Sequence, residues 1–429
     1  MAIATEQALP RILTGIGEEP MAELESHLDV HGPLPDLRRW SPEQIISMVE
    51  RSGLRGHGGA SFPMATKLRA VASRRKPKIL VANGTEGEPA SKKDRVLLRE
   101  LPHLVLDGAA IAARAVGAGE AVIAISDVDE RSARSLELAV DERQHAGLRG
   151  DPQFQLFGAP ERWLTGQESA LVNVLNGGPG KPTFGPRPFE RGVRQRPTLV
   201  QNVETLAHLA LIARHGADWF RLLGTDRDPG SALVTVAGAV SAPGVYEIEH
   251  GMPLEELLQT ADGREPLSAV LLGGYFGTWL PAAHIRGVRL AAEHLAEHGA
   301  SLGAGVIVAL GQSACPVAET ARIADYFAAQ SAGQCGPCMN GLGAVADTVQ
   351  QLATGTASAG ARAELARWGK DIKGRGVCQH PDGAVRFVSS ALRVFAEDFD
   401  DHARHGPCPR CSHPPVLPAT PIPAFPVAR

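Results

Sequence analysis

The chain has 429 residues, of which 44% are hydrophobic and 5% aromatic, with 47 glycines and 32 prolines. The hydrophobic fraction and the lack of a three-residue glycine period exclude a disordered or collagen-like chain. A formal net charge of −4 gives no basic excess of the kind that nucleic-acid binding needs. Charges and glycines interrupt the apolar stretches 104–125 and 302–311, so no membrane-inserted helix is expected from this chain. The first residues lack an apolar signal region, which favours a cytoplasmic protein.

Alternating strands and helices follow a polar N-terminal extension over residues 1–50. In chain order the pattern predicts a helix over 42–51, a strand over 78–83, a helix over 103–116, a strand over 120–125 and a helix over 202–215. This alternation is typical of a parallel α/β sheet. We therefore predict a Rossmann-like α/β domain over residues 51–225.

The composition changes after residue 225. The β-branched run 231–240, a Pro-Gly turn and the alternating run 245–249 predict a hairpin, with a helix over 254–258 and a strand over 269–272. These elements define a small mixed domain over 226–311. Apolar residues at helical spacing over 342–352 and 385–399 then predict a helical bundle over 312–405. A Pro-rich tail over 406–429 is expected to be extended rather than packed.

A glycine-rich loop lies over residues 53–63. Gly56, Gly58 and Gly59 let backbone N–H groups approach a phosphate, because no Cβ intervenes. Lys67 follows as a cation for a phosphate or a flavin carbonyl. A plain surface loop is the alternative, and the loop follows a helix rather than a strand, unlike a dinucleotide-binding fingerprint.

An acidic loop follows the strand predicted over 78–83. Ligands of open α/β sheets bind at the carboxyl ends of strands. There Asn83 offers an amide to a planar heterocycle, and Glu86 and Glu88 offer acceptors to ribose hydroxyls. A solvated acidic turn is the alternative.

Three further motifs lie at residues 164–169, 180–184 and 199–205. Each of the five motifs is weak alone. In this order they resemble the NADH-binding, FMN-containing flavoprotein subunit of respiratory complex I and of related NAD-linked hydrogenases and formate dehydrogenases. The resemblance covers residues 50 to 400 approximately, and implies that the middle domain is a β-grasp domain of the SLBB type and the bundle an iron–sulfur domain.

The resemblance also implies site residues for FMN and NADH. The positions matching flavin contacts are Gly56, Gly58, Gly59, Lys67, Asn83, Glu86, Gly166 and Asn202. The positions matching NADH contacts are Phe62, Phe184, Lys181, Glu88 and Glu168. Gln167 and Gln201 replace a family glutamate and asparagine and are kept as cofactor-binding candidates. The family's aromatic residue just after Lys67 is missing, which predicts adenine binding weaker by about 1 kcal/mol.

All six cysteines lie after residue 314. Cys335, Cys338 and Cys378 match three of the four ligands of the family's 4Fe–4S cluster, and Ala332 stands where the fourth is expected. The alternatives are a 3Fe–4S cluster, a 4Fe–4S cluster with a substitute ligand, a lost cluster, or a zinc site shared with the tail. The candidate substitute ligands are Cys408, Cys411, Cys315 and Ser331, although Cys315 alone is expected to be a buried apolar residue.

Together these features predict a flavoprotein oxidoreductase that passes electrons from NADH or NADPH through FMN and an iron–sulfur cluster. The expected acceptor is a ferredoxin-like, 2Fe–2S or quinone-linked partner, and a membrane partner remains open. No catalytic side chain is predicted, because the redox chemistry belongs to the cofactor. The altered cluster motif favours a stand-alone relative over a standard component of complex I. The alternative is a binding or assembly protein that has lost its cluster.

Overall fold

A computed structural model describes residues 9–17, 22–263 and 265–419. Within the described chain, the first part contains the helices α1 (Leu24–His31), α2 (Pro42–Ser52), α3 (Met64–Ala72), α4 (Lys93–Glu100), α5 (Pro102–Val116), α6 (Glu130–His145), α7 (Glu168–Leu175), α8 (Val203–His215) and α9 (Ala217–Phe220). Its strands are β1 (Lys78–Gly84), β2 (Ala118–Ser126), β3 (Gln153–Ala159) and β4 (Thr198–Asn202). Helix α2 begins at Pro42, as predicted, and Ser41 caps it in a capping box with Gln44.

The first sheet is parallel throughout, which confirms the predicted α/β class. Among the described residues its four strands have the order β3-β2-β1-β4. Ile79, Leu80 and Val81 of the inner strand β1 are fully buried, because helices cover both faces of such a sheet. Strands β1 and β4 pair in a register that sets Asn83 beside Asn202 at their carboxyl ends. Strands β3 and β4 were not predicted.

Helices α5 and α8 pack against each other beside this sheet, and almost every residue of α5 is buried. Their backbones approach most closely at Gly108. A Cβ built there would lie 1.9 Å from the carbonyl oxygen of Leu206. The contact therefore requires glycine in the middle of a helix, where this residue normally costs stability.

The second sheet is mixed. Its strands are β5 (Ser231–Gly238), β6 (Gly244–Glu249), β7 (Leu267–Leu272), β8 (Thr278–Pro281) and β9 (Val306–Gly311), with helices α10 (Leu254–Thr260) and α11 (Ala292–Glu297). In the described residues their order is β6-β5-β9-β7-β8. The predicted hairpin is present as antiparallel β5 and β6. Strand β9, which was not predicted, lies at the centre and is buried at all six positions.

The C-terminal part is helical, as predicted. It contains α12 (Pro316–Ala329), a π-helical turn over Pro337–Gly341, α13 (Leu342–Thr354), α14 (Ala361–Ile372), α15 (His380–Val394) and α16 (Ala396–His405). The single apolar stripe over 385–399 is divided between two helices, because the backbone leaves helical geometry at Phe395. No helix in the described ranges has the length and apolar character needed to cross a membrane.

The prediction that the tail is extended and unpacked is wrong for its described part. Residues 409–412 form a helical turn, and Leu417 is fully buried. The backbone N–H groups of Val416 and Leu417 donate to the carboxylate of Glu319 on α12, at 2.8 and 3.0 Å. Satisfied backbone groups and a buried leucine let this segment pack despite its prolines. Residues 420–429 lie outside the described chain.

Two glycine-to-alanine changes in helices test the close approach of α5 and α8. Gly108→Ala is expected to lower the free energy of unfolding by about 1–3 kcal/mol or more, since the added methyl group meets the backbone of Leu206. Gly343→Ala in α13 is the matched control, because a Cβ there has nothing within 4 Å. It should raise the stability by up to about 1 kcal/mol. Thermal or urea unfolding measures both, and equal effects would contradict the packing argument.

Candidate functional site

The carboxyl edge of the first sheet brings together several of the predicted residues. Asn83 ends β1, and its side-chain amide donates to the carbonyl oxygen of Gly166 at 2.9 Å. Asn202 ends β4, caps α8 by accepting from the N–H of Glu204, and donates to Asp94 at 2.7 Å. Parallel strands place their carboxyl ends at one edge, so these two amides become neighbours although 119 residues separate them.

The glycine loop lies directly over this edge. It closes on itself through a hydrogen bond of 2.9 Å from the N–H of Gly56 to the carbonyl of Phe62. The N–H of His57 donates to Thr205 at 2.9 Å, which fastens the loop to α8. A Cβ at Gly58 would lie 3.4 Å from the Cβ of Asn202, and Gly59 has a φ of 101°. Gly59 is thus required for its backbone conformation, and at Gly58 the loop backbone lies close to Asn202.

An ion pair joins two of the predicted motifs at the same edge. The ammonium group of Lys67 on α3 lies 2.9 Å from the carboxylate of Glu168 at the start of α7. It also donates to the carbonyl oxygen of Val200 in β4 at 2.7 Å. Both side chains are partly exposed. The arrangement therefore holds the ammonium group of Lys67, paired with Glu168, at the end of β4.

The carboxylate of Glu86 accepts hydrogen bonds from protein groups at the start of α4. Its carboxylate accepts from the hydroxyl of Ser91 at 2.6 Å and from the N–H groups of Asp94 and Arg95 at 3.0 and 3.1 Å. These are contacts at the first turn of α4, and burial raises the pKa of Glu86 to about 7. In this structure Glu86 supports a helix start, and its contact with a flavin stays a prediction.

Glu88 has one satisfied and one unsatisfied oxygen. Its Oε2 accepts from the N–H of Tyr275 at 3.1 Å, in the loop between β7 and β8. Its Oε1 is shielded from solvent and has no hydrogen-bond partner among the described residues. Burial raises the pKa of Glu88 to about 8. An unpartnered acceptor atom shielded from solvent suits a polar donor of a ligand such as the FMN or NADH that the motifs imply.

The other predicted residues have mixed surroundings. Gln167 caps α7 by accepting from the N–H of Ala170 at 3.0 Å, and Gln201 is buried in β4. The rings of Phe62 and Phe184 are 53% and 62% exposed, so both present free faces to solvent. The backbone N–H of Lys181 donates to Asn173 at 3.3 Å, which fixes the loop before Phe184.

The three cysteines at family spacing form a group in the helical part. Cys338 lies in the π-helical turn and is buried, whereas Cys335 and Cys378 are half-buried. Burial raises the pKa of Cys338 to about 11, and the nearby thiols of Cys335 and Cys378 add to this effect. Ala332, at the position of the missing ligand, is buried against Leu164 and offers no donor atom. Three soft thiolates fit iron at this site, and the fourth position does not.

The tail cysteines do not complete this group. Cys408 and Cys411 lie instead with Cys315 and His402. Cys315 is buried in the apolar core, as expected, but its sulfur also lies 3.4 Å from that of Cys411.

The sequence analysis missed a buried charge cluster under the glycine loop. Lys93 pairs with Asp94 at 2.7 Å and with Glu204 at 2.8 Å. A cavity of about 240 Å³ lies beside this cluster, lined by Gly56 and His57 of the glycine loop and by residues of the second domain such as Leu233 in β5. The only signal in the sequence was the Lys93-Asp94-Arg95 run, because nothing local indicates that charged residues are buried.

A pH series tests the state of Glu88. A carboxyl group with a pKa near 8 in the folded chain and 4.5 in the unfolded chain binds more protons when folded. Stability should therefore fall as the pH rises from about 5 to 8, by at most about 1.4 kcal/mol per pH unit. Glu88→Gln stays neutral and should flatten this dependence, leaving the contribution of Glu86. Thermal unfolding between these pH values measures the effect.

The exposed Glu137→Gln in α6 is the control for that series. It should leave the pH dependence as in the unmodified protein. If Glu88→Gln showed the same dependence as the control, the raised pKa would be refuted.

Comparison with known proteins agrees with this geometry. Three family models match: the Nuo51 FMN-binding domain over residues 49–211, the SLBB domain over 233–266, and the NADH-ubiquinone oxidoreductase-F iron-sulfur binding region over 318–402. An F-type component of the NADH-quinone oxidoreductase of Rhizobium meliloti is 32% identical over 387 residues, which are 87% of this chain and 92% of the relative. The mitochondrial NADH dehydrogenase [ubiquinone] flavoprotein 1 of Dictyostelium discoideum is 32% identical, over 84% of this chain and 79% of its own.

A solved structure shows the same fold. The crystal structure of an NAD+-reducing [NiFe]-hydrogenase in the air-oxidized state matches with a TM-score of 0.82 at 32% identity. The match covers 92% of this chain and 67% of that chain. The resemblance stated from the motifs is therefore confirmed over most of the sequence. The chain belongs to the F-type family of NADH-quinone oxidoreductase components, the NADH-binding FMN flavoproteins with an iron–sulfur binding region.

Proposed function

We propose that this chain oxidises NADH at the carboxyl edge of its first sheet and passes the electrons to an iron–sulfur cluster in its helical part. The observation that supports this most directly is the convergence of the glycine loop, the Lys67–Glu168 pair and the two amides of Asn83 and Asn202 at one edge. FMN, when bound, supplies the exchange between a two-electron donor and one-electron carriers. The protein would bind and orient FMN and NADH and shield them from solvent.

Each converging group has a definite part in that task. The backbone of Gly56–Gly59 and the ammonium of Lys67 would hold the phosphate or a flavin carbonyl. Asn83, Gly166 and Asn202 would border the heterocycle. Glu88 would accept a hydrogen bond through its unpartnered oxygen from a ribose hydroxyl or the nicotinamide amide.

The exposed aromatic rings suit the nicotinamide side of the site. Phe62 ends the glycine loop, and Phe184 follows Lys181 in a loop anchored to Asn173. Both rings are more than half exposed, so each has an uncovered face for a planar ligand. Glu168, which is paired with Lys67, would contact the nicotinamide or its ribose.

The names of the relatives support a proposal for the partner that accepts the electrons. They are called components of NADH-quinone oxidoreductase, and the matching structure is a hydrogenase. We therefore propose a cytoplasmic protein whose partner is another electron-transfer protein, of the ferredoxin-like, 2Fe–2S or quinone-linked type. We also propose domain limits at 51–225, 226–311 and 312–405, with 1–50 as an extension and 406–429 as a tail.

An optical spectrum of the anaerobically purified protein tests the proposal. The expected result is a flavin spectrum that NADH bleaches, with a broad iron–sulfur shoulder and an EPR signal after reduction. A colourless protein without releasable FMN would refute it and favour the alternative of a binding protein that has lost its redox groups. The observation that favours this alternative is the buried Ala332, which stands at a ligand position and has no atom that binds iron.

Substitution of Lys67 tests the site itself. Lys67→Ala removes a charged hydrogen-bond donor, which should weaken FMN binding roughly 10- to 100-fold. Fluorescence titration of the apoprotein with FMN measures the affinity. Lys76→Ala, at an exposed position before β1, is the matched control and should bind FMN normally. Unchanged affinity in Lys67→Ala would remove this residue from the proposed site.

Substitution of Ala332 by cysteine tests whether this position faces an iron–sulfur cluster. Ala332→Cys adds a thiolate at the position where the family motif has its first cysteine, so we expect more iron per chain and a changed EPR signal. Iron analysis and EPR spectroscopy measure the two effects. Ala329→Cys, an exposed position at the end of α12, adds a thiol elsewhere and serves as control. Identical iron content and spectra in both variants would show that residue 332 does not face the cluster.

A further inference from the structure

Four potential metal ligands lie together away from the cysteines at family spacing. They are Cys315, His402, Cys408 and Cys411, and their ligand atoms are all within 4.8 Å of one another. The sulfur of Cys411 lies 3.4 Å from that of Cys315 and 3.8 Å from that of Cys408. The Nε2 atom of His402 lies 3.5 Å from the sulfur of Cys315 and 3.8 Å from that of Cys411.

These separations are those of a tetrahedral zinc site. Zinc binds thiolate sulfur at about 2.3 Å and imidazole nitrogen at about 2.0–2.1 Å. A regular tetrahedron with these bonds has sulfur–sulfur edges of about 3.8 Å and sulfur–nitrogen edges of about 3.5 Å. The observed separations agree within a few tenths of an ångström. A multi-iron cluster needs its thiolates farther apart, because several irons and sulfides lie between them.

The histidine is oriented for this role. Its Nδ1 donates to the carbonyl oxygen of Leu352 at 3.2 Å, which leaves the Nε2 lone pair directed to the sulfurs. That lone pair accepts a long hydrogen bond of 3.4 Å from the N–H of Cys408. His402 is only 2% exposed, so the orientation is fixed by packing. Metal-binding histidines commonly have this second contact to a carbonyl group.

The sulfurs also have supporting contacts. The sulfur of Cys315 accepts from the N–H of Ala318 at 3.5 Å, at the start of α12. Arg410, between the two tail cysteines, makes a hydrogen bond with Cys408 and pairs with Asp398. Zinc binding releases the three thiol protons and leaves a site of net charge −1, which the guanidinium group partly compensates.

We propose that Cys315, His402, Cys408 and Cys411 form a closed structural zinc site that fastens the tail to the helical bundle. Three of its ligands lie outside the matched iron–sulfur region of residues 318–402, and His402 is its last residue. Four protein ligands leave no open position for substrate, so the site has a structural and not a catalytic role. It joins the start of α12, the end of α16 and the turn at 409–412.

Metal analysis of the full-length protein tests the proposal. Protein purified anaerobically without chelator should contain about one zinc atom per chain in addition to iron. Cys411→Ser should lose most of the zinc and keep its FMN and iron. Cys335→Ser is the matched control and should lose iron but keep zinc. Protein without zinc even after incubation with zinc salt, or zinc lost in Cys335→Ser instead of Cys411→Ser, would overturn the proposal.

A second measurement needs no variant and so does not depend on how a variant folds. Co2+ bound in place of zinc should give the intense visible bands and sulfur-to-metal charge transfer of a tetrahedral thiolate site. Weak octahedral bands would overturn the assignment. Mass spectrometry of the alkylated, non-reduced protein should find Cys315 and Cys411 as thiols, and a disulfide between them would equally refute a metal site.

Discussion

The arrangement of the site depends on the contacts of one buried carboxylate group, that of Glu204. It is fully buried in the first turn of α8, and a buried carboxylate is costly unless it is paired. Glu204 pairs with Lys93 of α4, accepts from the N–H of Leu233 in β5 at 2.8 Å, and lies 3.8 Å from the Nε2 of His57. Burial alone would raise the pKa of Glu204, but the charge of Lys93 lowers it. One ionised group thus holds both sheets and the glycine loop in place.

Most polar residues around this carboxylate bind the protein backbone or one another and hold the nearby elements in place. Asp94 accepts from the ammonium of Lys93 and from the amide of Asn202, so the buried cluster fixes the end of β4. Glu86 fixes the first turn of α4 in the same manner. Outside this cluster, Lys67 pairs with Glu168, and Glu88 retains an unpartnered oxygen. A preorganised site of this kind needs supporting groups as much as contacting ones.

Local patterns predicted the elements that have a local cause. The pattern over 42–51 predicted α2, and the strand predicted over 78–83 correctly placed Asn83 at the carboxyl edge of the sheet. Strand β9 escaped because a fully buried strand is apolar throughout and has no alternation. The burial of Lys93 and Glu204 was not predicted, because a sequence gives no sign of burial for charged residues whose partners are distant along the chain. The grouping of His402 with the cysteines was not predicted for the same reason, since 87 residues separate His402 from Cys315.

The six cysteines divide into two groups of three, one at family spacing and one that includes the two tail cysteines. Cys408 and Cys411 are engaged with Cys315 and His402, so they cannot at the same time replace the ligand missing at Ala332. The tail that they fasten continues to Leu417 and Pro418, where it accepts a hydrogen bond from Tyr275. Tyr275 is the residue whose N–H binds Glu88. The tail is thereby connected through Tyr275 to Glu88, a residue of the proposed nicotinamide site.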